Sequence, residues 1–192
     1  METSLPMSED SKKLAVTNGF IWSAINIAIF LVIFYVKPDL LGSFSFAGIT
    51  LVISIGLAIY FCLDMRKRIG GYWSFKEALI SIFIMFFTQA VIVLFFTIIF
   101  GKFIEPSYPT KMKEIASASA LQIMEKMGMD QETIDKAMAD SDERFEKQFN
   151  PGLMSILMTL GSTALMYFIG ALIFAAIFKK ERPVFSQITE EV

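Results

Sequence analysis

The sequence predicts an all-α protein: a four-span transmembrane helical bundle with an extracytoplasmic amphipathic helical hairpin between spans three and four. Three observations lead there. Four stretches, Leu14 to Val36, Phe44 to Leu63, Ala78 to Phe100 and Leu153 to Phe178, hold no Asp, Glu, Lys or Arg. A helix needs about 20 apolar residues to cross ~30 Å of hydrocarbon, and each stretch reaches that length. The composition agrees, with 55% hydrophobic residues and a mean hydropathy of +0.58. Finally, a basic corner separates the two middle stretches and fixes which way they run.

The first stretch follows a tail of three acids and two lysines. A secretory signal would carry a shorter apolar run behind a positive start, so the first stretch is expected to be an uncleaved span. The turn Lys37-Pro38-Asp39 separates it from the second. Between the second and third lies DMRKRIGGYWSFKEALI, which places Arg66, Lys67, Arg68 and Lys76 beside the apolar runs. Short cytoplasmic loops gather Lys and Arg because moving them across the bilayer is unfavourable. This loop is therefore expected on the cytoplasmic side. Alternation then puts both chain ends, with Lys12, Lys13, Lys179, Lys180 and Arg182, on that side as well.

In the same loop, Gly70-Gly71 supplies a turn and Ser74-Phe75-Lys76-Glu77 has the spacing of a capping box opening the third helix. Tyr72 and Trp73 stand where an aromatic belt would lie at the headgroups. The segment from Gly101 to Gly152 follows outside. Its seven basic residues run against the charge rule, but long segments translocate with less regard to charge.

Inside that segment, Met112, Ile115, Ala116, Ile123, Met124 and Met127 recur at helical spacing. Gly128 ends this helix, and Asp130 can cap a second with the stripe Ile134, Ala137, Met138, Phe145 and Phe149. Asn150-Pro151-Gly152 stops the second helix before the fourth span. The first helix carries Lys111, Lys113 and Lys126 against Glu114 and Glu125. From Asp130 to Phe149, seven acids outweigh Lys136, Arg144 and Lys147, a net of −4. The Met-rich stripe can close on its neighbour, meet a partner helix or lie on lipid. Closure on its neighbour is the simplest reading.

The organisation expected is a cytoplasmic tail over 1–13, three spans within 14–100, the hairpin over 101–152, the fourth span over 153–178 and a cytoplasmic tail over 179–192. Polar residues inside the spans are sparse. Asn26 and Gln89 fall near mid-span, where an amide needs a partner, and they could bond each other or form one step of a polar route. No proline and no ionisable side chain interrupts a span, which argues against an ion-coupled carrier. Ser155, Thr159, Ser162, Thr163, Gly170 and Ala171 give the fourth span a small-residue side suited to close packing.

Histidine is absent and Cys62 is the single cysteine. His-dependent hydrolysis, internal disulfides and thiolate metal clusters are thereby excluded. Cys62 reads as a small buried hydrophobe. Asp140-Ser141-Asp142-Glu143 lacks the spacing and central glycine of a calcium loop and reads as solvated surface. A net charge of −2 offers no nucleic-acid footprint. No catalytic residues and no cofactor are expected.

The stretches GGYWSFKEAL, FIEPSYPTKMKEIA, MEKMGMDQETIDKAM and IGALIFAAIFKKE resemble the bacterial membrane family catalogued as domain of unknown function 4199. The resemblance runs from the first span to Lys180 and implies a small four-span protein of the bacterial inner membrane with an external helical insert. It brings no activity, substrate or cofactor. The expected role is non-enzymatic: a scaffold, assembly or regulatory partner in the lipid bilayer, contacting a second copy or another membrane protein through its helices and hairpin. A small transporter or channel subunit with a polar route near Asn26 and Gln89 is the alternative.

Overall fold

The structure is a computed structural model that describes residues 9–149 and 152–181. Arg182, the Asn150-Pro151 stop and the outer parts of both tails lie outside the described residues. Six α-helices follow in order: α1 Glu9–Val36, α2 Phe44–Arg68, α3 Phe75–Ile99, α4 Tyr108–Lys126, α5 Gln131–Phe149 and α6 Leu153–Phe178. Among the described residues there is no strand. Four helices are long and apolar enough to cross a bilayer: α1, α2, α3 with its extension to Ile104, and α6. This is the make-up of a multi-pass membrane protein. The chain itself covers little of them, least of all α6, where 11% of the most apolar window is buried. Lipid must cover the rest.

The helix ends follow local rules. α1 begins before Leu14, because the polar Ser11 is buried and shares a hydrogen bond of 3.2 Å with Ser81 of α3. α2 runs past Leu63 through the basic corner, where Asp64 and Arg68 pair at 2.8 Å one turn apart and cations suit the negative end of the helix dipole. Gly70 and Gly71 then take φ of +96° and +84°. The amide of Gly71 reaches the carbonyl of Arg66 and that of Gly70 the carbonyl of Lys67, the double closure that ends a helix on glycine. Gly128 repeats it after α4 with φ +70°. At the start of α3 the predicted capping box forms: the Glu77 amide donates to Ser74 Oγ, and the Ser74 amide and hydroxyl donate to Glu77 Oε2. At α5, Thr133 donates to Asp130 through both amide and hydroxyl, at 2.8 and 2.9 Å.

Two connections differ from simple loops. Pro38–Gly42 winds into a 3-10 turn, and Ser43 accepts the amide of Phe46 to start α2. α3 widens at its end into a π-helical turn, Phe100–Ile104.

The chain forms two compact units. The basic unit comprises the described parts of Met1–Ala24, Ser54–Val91 and Ser162–Val192; the hairpin unit comprises Ile25–Ile53 and Ile92–Gly161. In the basic unit all four spans meet around Trp22, Phe61, Cys62, Met65, Ile82, Met85, Ala171 and Ala175. Cys62 is fully buried, as expected of a small hydrophobe. The small-residue side of α6 is used only in part: Gly170, Ala171 and Ala175 pack, with Phe86 against Gly170, whereas Thr159 and Ser162 are exposed. Trp73 corrects the aromatic-belt expectation. It is fully buried in this core, and only Tyr72 stays partly exposed. The cause lies in the backbone, where Trp73 and Lys180 exchange two hydrogen bonds of 2.7 and 2.8 Å and draw the loop onto the end of α6.

Candidate functional site: a polar seam, a basic cap and the seat of the hairpin

Three places carry features beyond packing. In the basic unit, α1 buries Ser11, Ala15, Asn18 and Trp22, a four-three-four spacing that lines up one helix face. The facing positions on α3 are Ala78, Ser81, Ile82, Met85 and Gln89. The helices run in the same direction, since Ser11 meets Ser81 and Gly19 meets Met85 and Thr88. A Cβ on Gly19 would stand 2.8 Å from the Met85 carbonyl oxygen, so glycine lets the backbones touch. Every buried polar side chain among the described residues, Ser11, Asn18, Ser23, Ser81 and Gln89, lies on this pair. Ser23 donates to the Phe20 carbonyl. Asn18 Nδ2 and Trp22 Nε1 are buried and have no acceptor among the described residues. The result is a polar seam within an apolar bundle.

The basic cap closes the same unit. Arg66 donates to the Phe178 carbonyl at 3.4 Å, Lys180 stands 5.7 Å from the Tyr72 ring, and Lys179 stands 6.0 Å from that of Phe75. Lys67, Arg68 and Lys76 are exposed. Thus the four residues expected to set topology are gathered at one end, together with lysines from the end of α6.

The seat of the hairpin belongs to the other unit. Phe34 of α1, Phe100 of the π turn and Tyr108 of α4 are buried together, with ring centroids 5.3–5.5 Å apart and near-perpendicular planes. Phe30 adds three more edge contacts, to Phe96, Phe100 and Tyr108. Pairs of this geometry contribute roughly 0.5–1.5 kcal/mol each beyond their area. Burial pushes the Tyr108 phenol above its ordinary value of 10.0. Lys111 lies 5.3 Å from the Phe34 ring and 4.0 Å from Glu105, whose carboxylate also accepts from the Ser107 hydroxyl. On the opposite flank, Gly42 allows the 3-10 turn to touch Ile115 and Ser119 of α4. Beside that contact lies a groove of about 620 Å³ lined by Asp39, Ser43, Phe44, Gln122, Lys126 and Met127 among others. Within the hairpin the stripes close on each other: Ile134 is buried, Ala137 and Met138 are half-buried, and among the described side chains of the stripes only Met127 stands out, at 67% exposed.

Asn26 and Gln89 fall in different units, Asn26 half-buried and Gln89 only 7% exposed. Sequence reasoning missed Asn18, Trp22 and Tyr108 as interior residues of consequence. The four-three-four spacing from Ser11 to Trp22 was a usable signal for the first two. No group of three or more metal-ligating side chains comes together among the described residues.

Residues 17–180 match the model of a family described as a protein of unknown function, DUF4199. The chain belongs to that family. The match takes in the seam from Asn18 onward, the basic cap and the whole hairpin of this DUF4199 protein. No curated protein and no solved structure matches the chain.

Proposed function

We propose that this DUF4199 protein is a non-catalytic partner of the bacterial inner membrane, a scaffold, assembly or regulatory subunit that works by presenting its helical hairpin. The observation that carries this reading is the seat around Tyr108, which holds α4 by rings and by the Gly42 contact rather than leaving it as a tethered loop. A hairpin that spends its apolar stripe on self-closure keeps its charged side free, and α5 offers exposed Glu132, Asp135, Lys136 and Asp140. Both chain ends are placed in the cytoplasm and the hairpin outside, on the weight of the basic corner.

The test is a photo-crosslinking amino acid at Lys136 or Asp140 in native membranes. A discrete protein neighbour, a second copy included, is expected; recovery of lipid alone would overturn the reading. Orientation is checked separately with a cysteine at Lys67 in a Cys62→Ala background, which should be protected from impermeant reagents in intact cells.

A second reading, a small transporter or channel subunit with a polar route near Asn26 and Gln89, draws on the burial of Gln89 in the polar seam; Asn26 lies outside the seam, in the other unit. Solute flux in liposomes that disappears with Asn26→Leu and Gln89→Leu would favour it over the first.

A further inference from the structure

Among the described residues, the cations of the basic cap outnumber the carboxylates paired with them. Of the acids there, Asp64 is held by Arg68 at 2.8 Å, Glu77 is committed to the capping box, and Glu181 stands 4.0 Å from Lys179. Arg66, Lys67, Lys76 and Lys180 have no carboxylate partner among the described residues. Part of this charge has a local use, since the Arg66 bond to Phe178 satisfies an end carbonyl of α6 and opposes its dipole. That use does not account for Lys67 and Lys76, whose side chains are exposed and make no hydrogen bond or ion pair among the described residues.

Depth and rigidity point to what answers them. The cap is built where three apolar spans end or begin, at Arg68, Phe75 and Phe178, which is the level of lipid headgroups. Tyr72 and Phe75, partly exposed at 38% and 36%, stand under Lys180 and Lys179 as aromatic and cationic groups do at that level. The paired backbone hydrogen bonds between Trp73 and Lys180 hold the loop against the end of α6, so the cations are carried on a fixed frame. A frame of this kind costs less to order when a ligand arrives. We infer that the basic cap binds the phosphate of an anionic phospholipid, with Arg66 and Lys180 at the centre and Lys67 and Lys76 at the edge. The inference is independent of the hairpin's role and of which side of the membrane the cap faces.

The test uses the full chain purified in a neutral detergent and titrated with phosphatidylglycerol, phosphatidylcholine or inorganic phosphate. Bound lipid is counted by native mass spectrometry and stability is followed by thermal unfolding. Phosphatidylglycerol should bind in preference to phosphatidylcholine and raise the unfolding temperature, an effect weakened by added salt. Each cation removed should weaken binding roughly fivefold. Arg66→Gln with Lys180→Gln is the stronger pair; should it unfold, Lys67→Gln with Lys76→Gln carries the test, because neither side chain holds the fold. Lys126→Gln and Lys126→Ala, on the hairpin, should leave the lipid preference and the unfolding temperature unchanged. Equal binding of the two lipids, cap variants that behave like the hairpin variants, or stabilisation by inorganic phosphate equal to that by phosphatidylglycerol would each overturn the inference.

Discussion

The two units are held together by different means. In the basic unit rings meet as well, Trp22 edge-on to Phe86 at 5.5 Å, but helices also approach through small residues and backbone: Gly19 against Met85, Ala171 and Ala175 in the core, Ser11 on Ser81, and the Trp73 to Lys180 bridge. In the hairpin unit, large rings interlock, with Phe34, Phe100 and Tyr108 at the centre, and α2 and α6 contribute no buried residue. The solvent explains the contrast. Between helices in lipid, burying an apolar side chain removes it from surroundings just as apolar, so association falls to close contact and a few polar pairs. Where α4, outside the spans, covers the ends of α1 and α3, water is displaced, and large rings regain the ordinary hydrophobic gain.

The largest expected effect breaks the seat. Tyr108→Ala should cost about 3–4 kcal/mol within the hairpin unit, read as faster amide exchange along α4 with that of the last turns of α2 unchanged. Equal acceleration in both units would erase the contrast. Next come the glycines. Gly19→Ala drives a Cβ to 2.8 Å from a backbone oxygen that cannot turn aside, at about 1–3 kcal/mol. Gly42→Ala meets the Ile115 Cγ2 methyl and the Ser119 hydroxyl at 2.5 and 2.6 Å; the hydroxyl can turn aside but the branched methyl cannot, so the cost should be similar. Gly56→Ala meets nothing within 4 Å and should gain up to about 1 kcal/mol from helix propensity. Thermal unfolding in detergent compares the three. A smaller change is expected of Ser81→Ala, which removes a buried bond worth about 0.6 kcal/mol in membranes; a several-fold larger loss would show the seam to be more than a packing device.

The mildest test is by pH. The Thr133 amide, then the Thr133 hydroxyl, hold the exposed Asp130 carboxyl below its ordinary value of 3.8. A depressed folded value means that the cap is fully present above 3.8 and is lost as pH falls through the lower folded value. Exchange at the first turn of α5 should therefore stay slow down to that range, whereas Asp130→Ala frays the turn at neutral pH.

Much of this was legible in the residues. The four spans, the capping box at Ser74, the glycine stop at Gly128 and the Asp130 cap each depend on side chains within a turn or two of one another. The two amphipathic periods of the hairpin could be read as well, but they left closure on each other, a partner helix and lipid all open. Trp73 shows where reading along the chain fails: beside Tyr72 in a basic loop it looks like a headgroup anchor, and nothing local reveals that Lys180 will pair with its backbone. The same limit applies to Asn18 and Trp22, whose spacing is visible but whose facing helix is not.

Sequence by itself determined that this chain is helical, that four helices can lie in lipid, and where most of them stop, because hydropathy and capping are short-range properties of consecutive residues. Tertiary structure alone decided which polar residues share the α1 and α3 seam, that Trp73 is interior, and that Tyr108 fastens the hairpin. Those outcomes depend on which helix faces which, and lipid, being equally apolar on every side, leaves that choice to shape and to a few hydrogen bonds between residues far apart in the chain.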